Sequence, residues 1–204
     1  MSLKNKNKAD GTTEEKIKEA AHKLFTQKGY NAVKTRDIAK EAGINLALLN
    51  YYFRSKEKLF EIITKENFEQ FMQNISEIIN DKKTGIWQKI DLLVTNYIDM
   101  LSKNPDMPFF VLSHSKQDPQ RMKIREKFME SYFMKQVQKA VKSGEISPVD
   151  PPNLMFNIMG LTIFPFVGRH ILQNNNGISH EQFISLMQAR KKMIPKWIEA
   201  MLKA

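Results

Sequence analysis

The stretch "AKEAGINLALLNYYFRSKEKL", residues 39 to 59, constrains the fold more than any other part of the chain. Ala39, Gly43 and Leu49 stand at the spacing two short helices need to cross at a steep angle. Such a crossing takes a small residue where the helices touch, a glycine in the three-residue turn, and an aliphatic side chain anchoring the second helix. Ile38, Ala42, Ile44 and Tyr52 fill the apolar positions between and after them. The segment therefore reads as a helix-turn-helix. Its second helix is apolar nearly all the way round, so it is either buried on every side or turns part of its surface to something other than water.

A helical wheel at about 100° per residue divides that helix. Leu46, Leu49, Tyr52 and Phe53 cluster on one side, which must be core, while Ala47, Asn50 and Tyr51 point the other way, with Leu48 at the edge. Asparagine pairs with both polar atoms of an adenine edge, and small apolar side chains fit against a thymine methyl group. The outward face is thus suited to an A·T-rich major groove. Lys56 falls in the first turn of a fourth helix, where free N–H groups and the helix dipole favour a phosphate. Lys34 and Arg36 flank the start of the second helix, and the hydroxyls of Tyr51 and Tyr52 are able to donate to backbone oxygens. Singly, each is better read as a solvent-facing charge or, for Tyr52, a core ring with a wet hydroxyl. Gathered around one helix-turn-helix, they point to a nucleic-acid backbone.

Charge agrees with this placement without deciding it. The chain has a formal net charge of +10, and residues 1 to 58 carry 13 Lys or Arg against 7 Asp or Glu. A solvated lysine-rich surface produces such an excess, and so does a module that binds polyanions. With 42% hydrophobic and 26% charged residues, a folded globular protein is expected.

The periodicity predicts helices throughout. "TTEEKIKEAAHKLFTQKG" opens on a capping box, Thr12 with Glu15, and closes at Gly29. Further helices are expected from Thr35 to Ala42, from an Asn45 cap to about Phe53, and from a Ser55 cap to Asn80. Beyond these come 86 to 103, 107 to 115, 119 to 143, 152 to 173 and 180 to 202, the last capped by Ser179 with Gln182. No period-2 run bounded by turn signals appears, so no strand is expected. The chain contains no cysteine, which excludes disulfides and thiolate metal sites and fits a cytoplasmic location. Its longest apolar run, Leu154 to Val167, is too short and interrupted to span a bilayer, so no membrane association is expected. His22, His114, His170 and His180 show no metal-ligand spacing, and neither a Gly-rich phosphate loop nor a nucleophile motif is present. Neither catalysis, nor a metal, nor a cofactor is expected.

The block "KIKEAAHKLFTQKGYNAVKTRDIAKEAGINLALLNYYFRSKEKLFEII", residues 16 to 63, resembles the N-terminal DNA-binding domain of the tetracycline-repressor (TetR) family, notably in "LFTQKGY", "TRDIAKEAGI" and "YYFRSKEKL". "SGEISPVDPPNLMFNIMGL" is more distantly similar to the approach to that family's penultimate helix. The resemblance implies an all-α protein in which a three-helix DNA-binding domain precedes a larger helical bundle for dimerisation and ligand binding. On this reading residues 1–11 are a flexible basic arm, 12–56 the helix-turn-helix domain and 57–204 the second domain. It further implies a homodimeric repressor that binds a palindromic double-stranded DNA operator and responds to a small-molecule effector. Position by position it assigns phosphate or base contacts to Thr35, Arg36, Leu46, Ala47, Leu48, Asn50, Tyr51, Tyr52 and Lys56. Where members often carry a polar run, this chain has Leu46, Ala47, Leu48 and Asn50, so the resemblance implies DNA binding but no particular operator sequence.

Helix 152 to 173 is apolar on almost every side, and helix 180 to 202 carries a broad apolar stripe. Such helices need cover on two sides, and a second copy supplies the outer one in a symmetric four-helix interface. A monomeric bundle core would also use these residues. Phe166, Phe183, Met187, Ile194 and Trp197 are the expected dimer contacts. The many aromatic and methionine side chains of the second domain suit a largely apolar ligand, with Tyr97, Phe110, His114, Tyr132, Asn157 and Thr162 as candidate lining. Two other readings remain: a sequence-indifferent nucleic-acid binder, and an apolar-ligand protein with an incidental helical hairpin.

Overall fold

The computed structural model describes residues 3–105, 107–108, 111, 126–169, 171, 173 and 177–203, with side chains from residue 12 onward. Among the described residues the structure is helical and holds no strand. The chain divides into two compact units, Met1–Glu69 and Gln70–Ala204.

In the first unit, α1 (Leu3–Lys28), α2 (Thr35–Glu41) and α3 (Leu46–Tyr52) precede the first half of α4 (Lys56–Asn80). Ile17, Ala21, Ile38, Leu49 and Leu59 have no exposed surface and form its centre, with Leu24, Phe25, Val33, Phe53 and Ile63 around them. The chain turns from α2 to α3 through a pair of bonds that closes many helices. Gly43 N–H donates to the Lys40 carbonyl at 3.2 Å and Ile44 N–H to the Ala39 carbonyl at 3.0 Å. That geometry puts Gly43 at φ +67°, where a β-carbon is strained.

The start of α1 differs from the expected one. The helix runs through Thr12 back to Leu3 rather than beginning at a cap there. Lys4, Lys6, Lys8 and Ala9 are good helix formers and no proline interrupts them, so an existing helix extends N-terminally over the segment expected to be a flexible arm.

In the second unit the end of α4 joins α5 (Ile86–Lys103), α6 (Tyr132–Lys142), α7 (Pro151–Val167) and α8 (His180–Lys203). α5 packs against α7 and α8 around Ile90, Val94, Ile98, Leu154, Ile158 and Ile198. Ser179 and Gln182 form the expected capping box of α8 in both directions, at 2.8 and 3.2 Å. Of the single helix expected over 119 to 143, residues 119 to 125 lie outside the described residues, and the remainder is interrupted at Glu130 and Ser131. Ser131 is buried and starts α6, accepting from Met134 N–H at 3.3 Å while its hydroxyl donates to the Phe128 carbonyl at 2.6 Å. The helix expected over 152 to 173 is broken at Gly168, which caps α7 after Val167, and the described residues 169, 171 and 173 beyond it are again helical. Of the helix expected over 107 to 115, residues 109, 110 and 112 to 115 lie outside the described residues, and Phe110 and His114 with them.

Four expected dimer contacts are core of the unit itself. Phe166 and Ile194 are fully buried, Phe183 and Met187 nearly so, and the Phe166 and Phe183 rings meet edge to face at 5.5 Å. Trp197, by contrast, is 41% exposed. The apolar arc of α8 is broad enough to serve two sides, and composition does not say which half turns inward. The outward half carries Leu186, Met193, Trp197 and Met201 within about 80° on the wheel. α7 likewise turns Phe156 and Phe164 outward, the latter 70% exposed.

A proline accounts for one bond between α7 and α8. Pro165 lies inside α7 and has no N–H, so the carbonyl of Leu161, four residues earlier, loses its helical donor. Arg190 of α8 replaces it, its guanidinium donating to the Leu161 carbonyl at 2.8 Å and lying 5.2 Å from the centre of the Trp197 ring. Arg190→Met is expected to destabilise the protein in urea by about 1–3 kcal/mol, since it orphans a partly buried carbonyl. In a Pro165→Ala background, where the helix supplies its own N–H, the same substitution should be clearly milder.

Candidate nucleic-acid interface

The second helix of the helix-turn-helix, α3, is seven residues long, too short to persist alone, and its geometry comes from its two ends and one buried face. Asn45 precedes it in an extended conformation, and its side-chain oxygen accepts from Leu48 N–H at 2.8 Å. Phe53 N–H donates to the Leu49 carbonyl at 2.8 Å as the chain leaves the helix. Leu49 and Phe53 are buried, Leu46, Leu48 and Tyr52 half-buried, and Ala47, Asn50 and Tyr51 exposed. Tyr51 is 79% exposed and meets Tyr52 edge to face at 5.4 Å. A helix held in this way presents on its outer face one amide, one phenol and one methyl group, flanked by the partly covered Leu48.

The start of α2 is fixed separately. Lys34 N–H donates to the Asp37 carboxylate at 3.1 Å, which also sets an anion in the first turn of the helix. Thr35 is half-buried at this end, and Arg36 and Lys34 are exposed. Several cations of the unit are paired, among them Lys18 with Glu66 at 2.9 Å, Lys23 with Glu41, and Lys58 with Glu61 at 3.2 Å. The Lys23 ammonium holds the Glu41 carboxyl below its ordinary value, chiefly through their hydrogen bond.

Lys56 does not sit as an open charge. It is half-buried at the first position of α4, and its ammonium donates to the carbonyls of Tyr30 and Val33, both at 3.0 Å. The Tyr30 ring centre lies 4.2 Å away. Sequence reasoning saw the helix N-terminus but not these carbonyls, which come from a loop more than twenty residues upstream.

Residues 17–63 match the sequence pattern of "Bacterial regulatory proteins, tetR family". This segment thus carries the DNA-binding pattern of the TetR family. The chain is 27% identical over 164 residues to the probable HTH-type transcriptional regulator YttP of Bacillus subtilis, covering 76% of this chain and 78% of that one. Among solved structures, a TetR/AcrR-family regulator from Thermobifida fusca shares the fold with a TM-score of 0.57 at 20% identity, covering 89% of this chain and 96% of that one. The regulator FadR from Bacillus subtilis, solved in complex with stearoyl-CoA, aligns with a TM-score of 0.50 at 20% identity, covering 88% and 96%.

The four candidate ligand residues among the described ones, Tyr97, Tyr132, Asn157 and Thr162, are each held by different partners. Tyr97 packs edge to face on Phe71 of α4 at 4.8 Å, and burial pushes its phenol up to about 12. Tyr132 lies 5.4 Å from the Lys89 ammonium, and its N–H donates to the Asn80 side chain. Asn157 donates to the Met201 sulfur, and Thr162 donates to the Ile158 carbonyl of its own helix at 2.6 Å. Lys89 is a buried charge that no sequence signal marked. Its ammonium donates to the Asp81 carbonyl and to the carbonyl and hydroxyl of Thr84, closing the end of α4, and burial lowers its pKa.

Asn45→Ala removes the side chain that caps α3. It is expected to destabilise the first unit by about 1 kcal/mol and to weaken DNA binding, whereas Asn45→Asp, which keeps the acceptor, should retain most of the stability. Urea unfolding and a gel-shift titration measure the two effects.

Proposed function

We propose that this TetR-family regulator is a homodimeric repressor that reads a palindromic operator with α3 and is released by a small, largely apolar effector. The observation that carries the DNA reading is the division of α3, in which Leu49 and Phe53 seal the core and leave Ala47, Asn50 and Tyr51 outside. In this reading Asn50, Tyr51, Ala47, Leu48 and the edge of Leu46 face the major groove. Thr35, Arg36 and the hydroxyl of Tyr52 hold the DNA backbone on either side.

Dimerisation is supported by the apolar faces that α7 and α8 leave uncovered: Phe156 and Phe164 on the first, Leu186, Met193, Trp197 and Met201 on the second. The α8 stripe from Leu186 to Met201 is about 22 Å long, enough for a self-complementary helix pair. These side chains, with Trp197 the one retained from the sequence expectation, are the proposed contacts in place of the core residues Phe166, Phe183, Met187 and Ile194.

The effector reading draws on the fatty-acyl ligand of the FadR structure and on the apolar interior around Tyr97 and Phe71. α4 gives Leu59 and Ile63 to the core of the first unit, and its Phe71, Ile75 and Ile79 are buried in the second. A ligand that shifts the end of this helix would alter the spacing of two recognition helices in a dimer. Moving such an equilibrium from 1:99 to 99:1 requires about 5.5 kcal/mol of preference for the released state.

Selection of bound fragments from a random DNA library tests the function. The expected result is a palindromic consensus with half-sites about one helical turn or somewhat more apart. Binding without a consensus would favour a sequence-indifferent binder, and apolar-ligand binding with no DNA binding would favour an incidental hairpin. Leu186→Glu and Trp197→Glu should each give folded monomers in sedimentation that bind the operator at least tenfold more weakly. A wild-type chain that sediments as a monomer at micromolar concentration would remove the dimer reading.

A further inference from the structure

We propose that Lys56 is a positioning residue for DNA recognition and not a phosphate ligand: its ammonium pins the loop between α1 and α2 to the first turn of α4. The inference rests on the DNA-binding reading of α2 and α3, and it reverses the role that the resemblance gives to this one side chain. Two of the three ammonium protons are committed to the Tyr30 and Val33 carbonyls at 3.0 Å each, and the charge lies 4.2 Å from the Tyr30 ring centre. One proton remains for another acceptor, but the two carbonyls and the ring face fix where the ammonium sits, so it is not free to follow a phosphate.

The loop it holds leads directly into α2, and through that helix it bears on DNA. Val33 is itself buried, at 1% exposure, and its carbonyl stands two residues before Thr35, where α2 begins. Tyr30 is held on its other side by Phe25 and Phe60, with ring centres 5.8 and 4.7 Å away, and these two meet each other edge to face at 5.2 Å. Lys56 thus closes a rigid block made of the end of α1, the loop and the start of α4. A cation at the first position of a helix opposes the helix dipole, so the carbonyl cage supplies the reason for a lysine here. The block fixes the position of Thr35 and Arg36 relative to the start of α4, and a shift of that start passes directly to α2.

The two roles predict different measurements. A phosphate ligand releases counter-ions, so losing one from each half-site makes the salt dependence of binding shallower by about two units, whereas a positioning residue lowers affinity at constant slope. In the wild-type full-length chain, amine-reactive labelling read by mass spectrometry should modify Lys56 at least tenfold more slowly than the exposed Lys34, Lys40 and Lys58, with no further change on adding DNA. Lys56→Met, studied well below its unfolding temperature, should bind the selected operator at least tenfold more weakly with the salt slope unchanged, and should lose more affinity for operator than for random DNA. Labelling as fast as the exposed lysines, protection by DNA, a shallower slope or unaltered affinity would each overturn the proposal. Should Lys56→Met not fold, the wild-type labelling decides alone, and because it is read first without DNA, it still reports on Lys56 if the chain proves to bind none.

Discussion

The burial of Leu49 is the contact on which the first unit depends. α3 has seven residues and cannot hold its own shape in water, so it exists only because Leu49 and Phe53 are driven into the cluster formed by Ile17, Ile38 and Leu59. Once those two side chains are inside, the rotation of the helix about its axis is set. Asn50 and Tyr51 then have no choice but to face outward. The Gly43 turn fixes the crossing with α2 and Asn45 fixes the first turn, but both refine an orientation that apolar burial has already chosen.

A comparable constraint shapes the second unit, with a different outcome. α7 and α8 carry more apolar surface than one core accepts, and α5 covers only one side of each. Pro165 takes a donor out of α7, and Arg190 restores it from α8, so the pair is joined by a hydrogen bond beside the surface that remains uncovered. The guanidinium also lies over Trp197, which ties the geometry of that surface to the interior of the pair. Lys89 acts similarly just beyond α4, where its ammonium satisfies the carbonyls of Asp81 and Thr84 in the loop leading to α5.

Much of the helical arrangement was legible in the sequence because it depends on near neighbours. The caps Asn45, Ser55 and Ser179 stand where the structure has them, and α4 and α5 begin and end as the spacing of apolar residues predicts. The outward set on α3 was legible for the same reason, since a wheel needs only the chain's own periodicity. The start of α1 was not, because a capping box inside a run of good helix formers does not halt a helix. Nor was the break at Ser131, where a buried hydroxyl and a cap replace one turn of an otherwise continuous pattern.

What the sequence by itself determined is therefore local and periodic: helices, most of their ends, the helix-turn-helix and the family pattern that residues 17–63 match. What only the tertiary structure decided is which of two equivalent apolar faces turns inward and which charge is already engaged. Phe166, Phe183, Met187 and Ile194 are indistinguishable in pattern from Phe164, Leu186 and Met193, yet the first group is core and the second is surface. Lys56 has the charge and the helix-end position of a phosphate ligand, but its acceptors, Tyr30 and Val33, are 26 and 23 residues away along the chain. Periodicity reports the direction of a side chain relative to its own helix. Its partners depend on where the other helices pack, and that information exists only once the chain has folded.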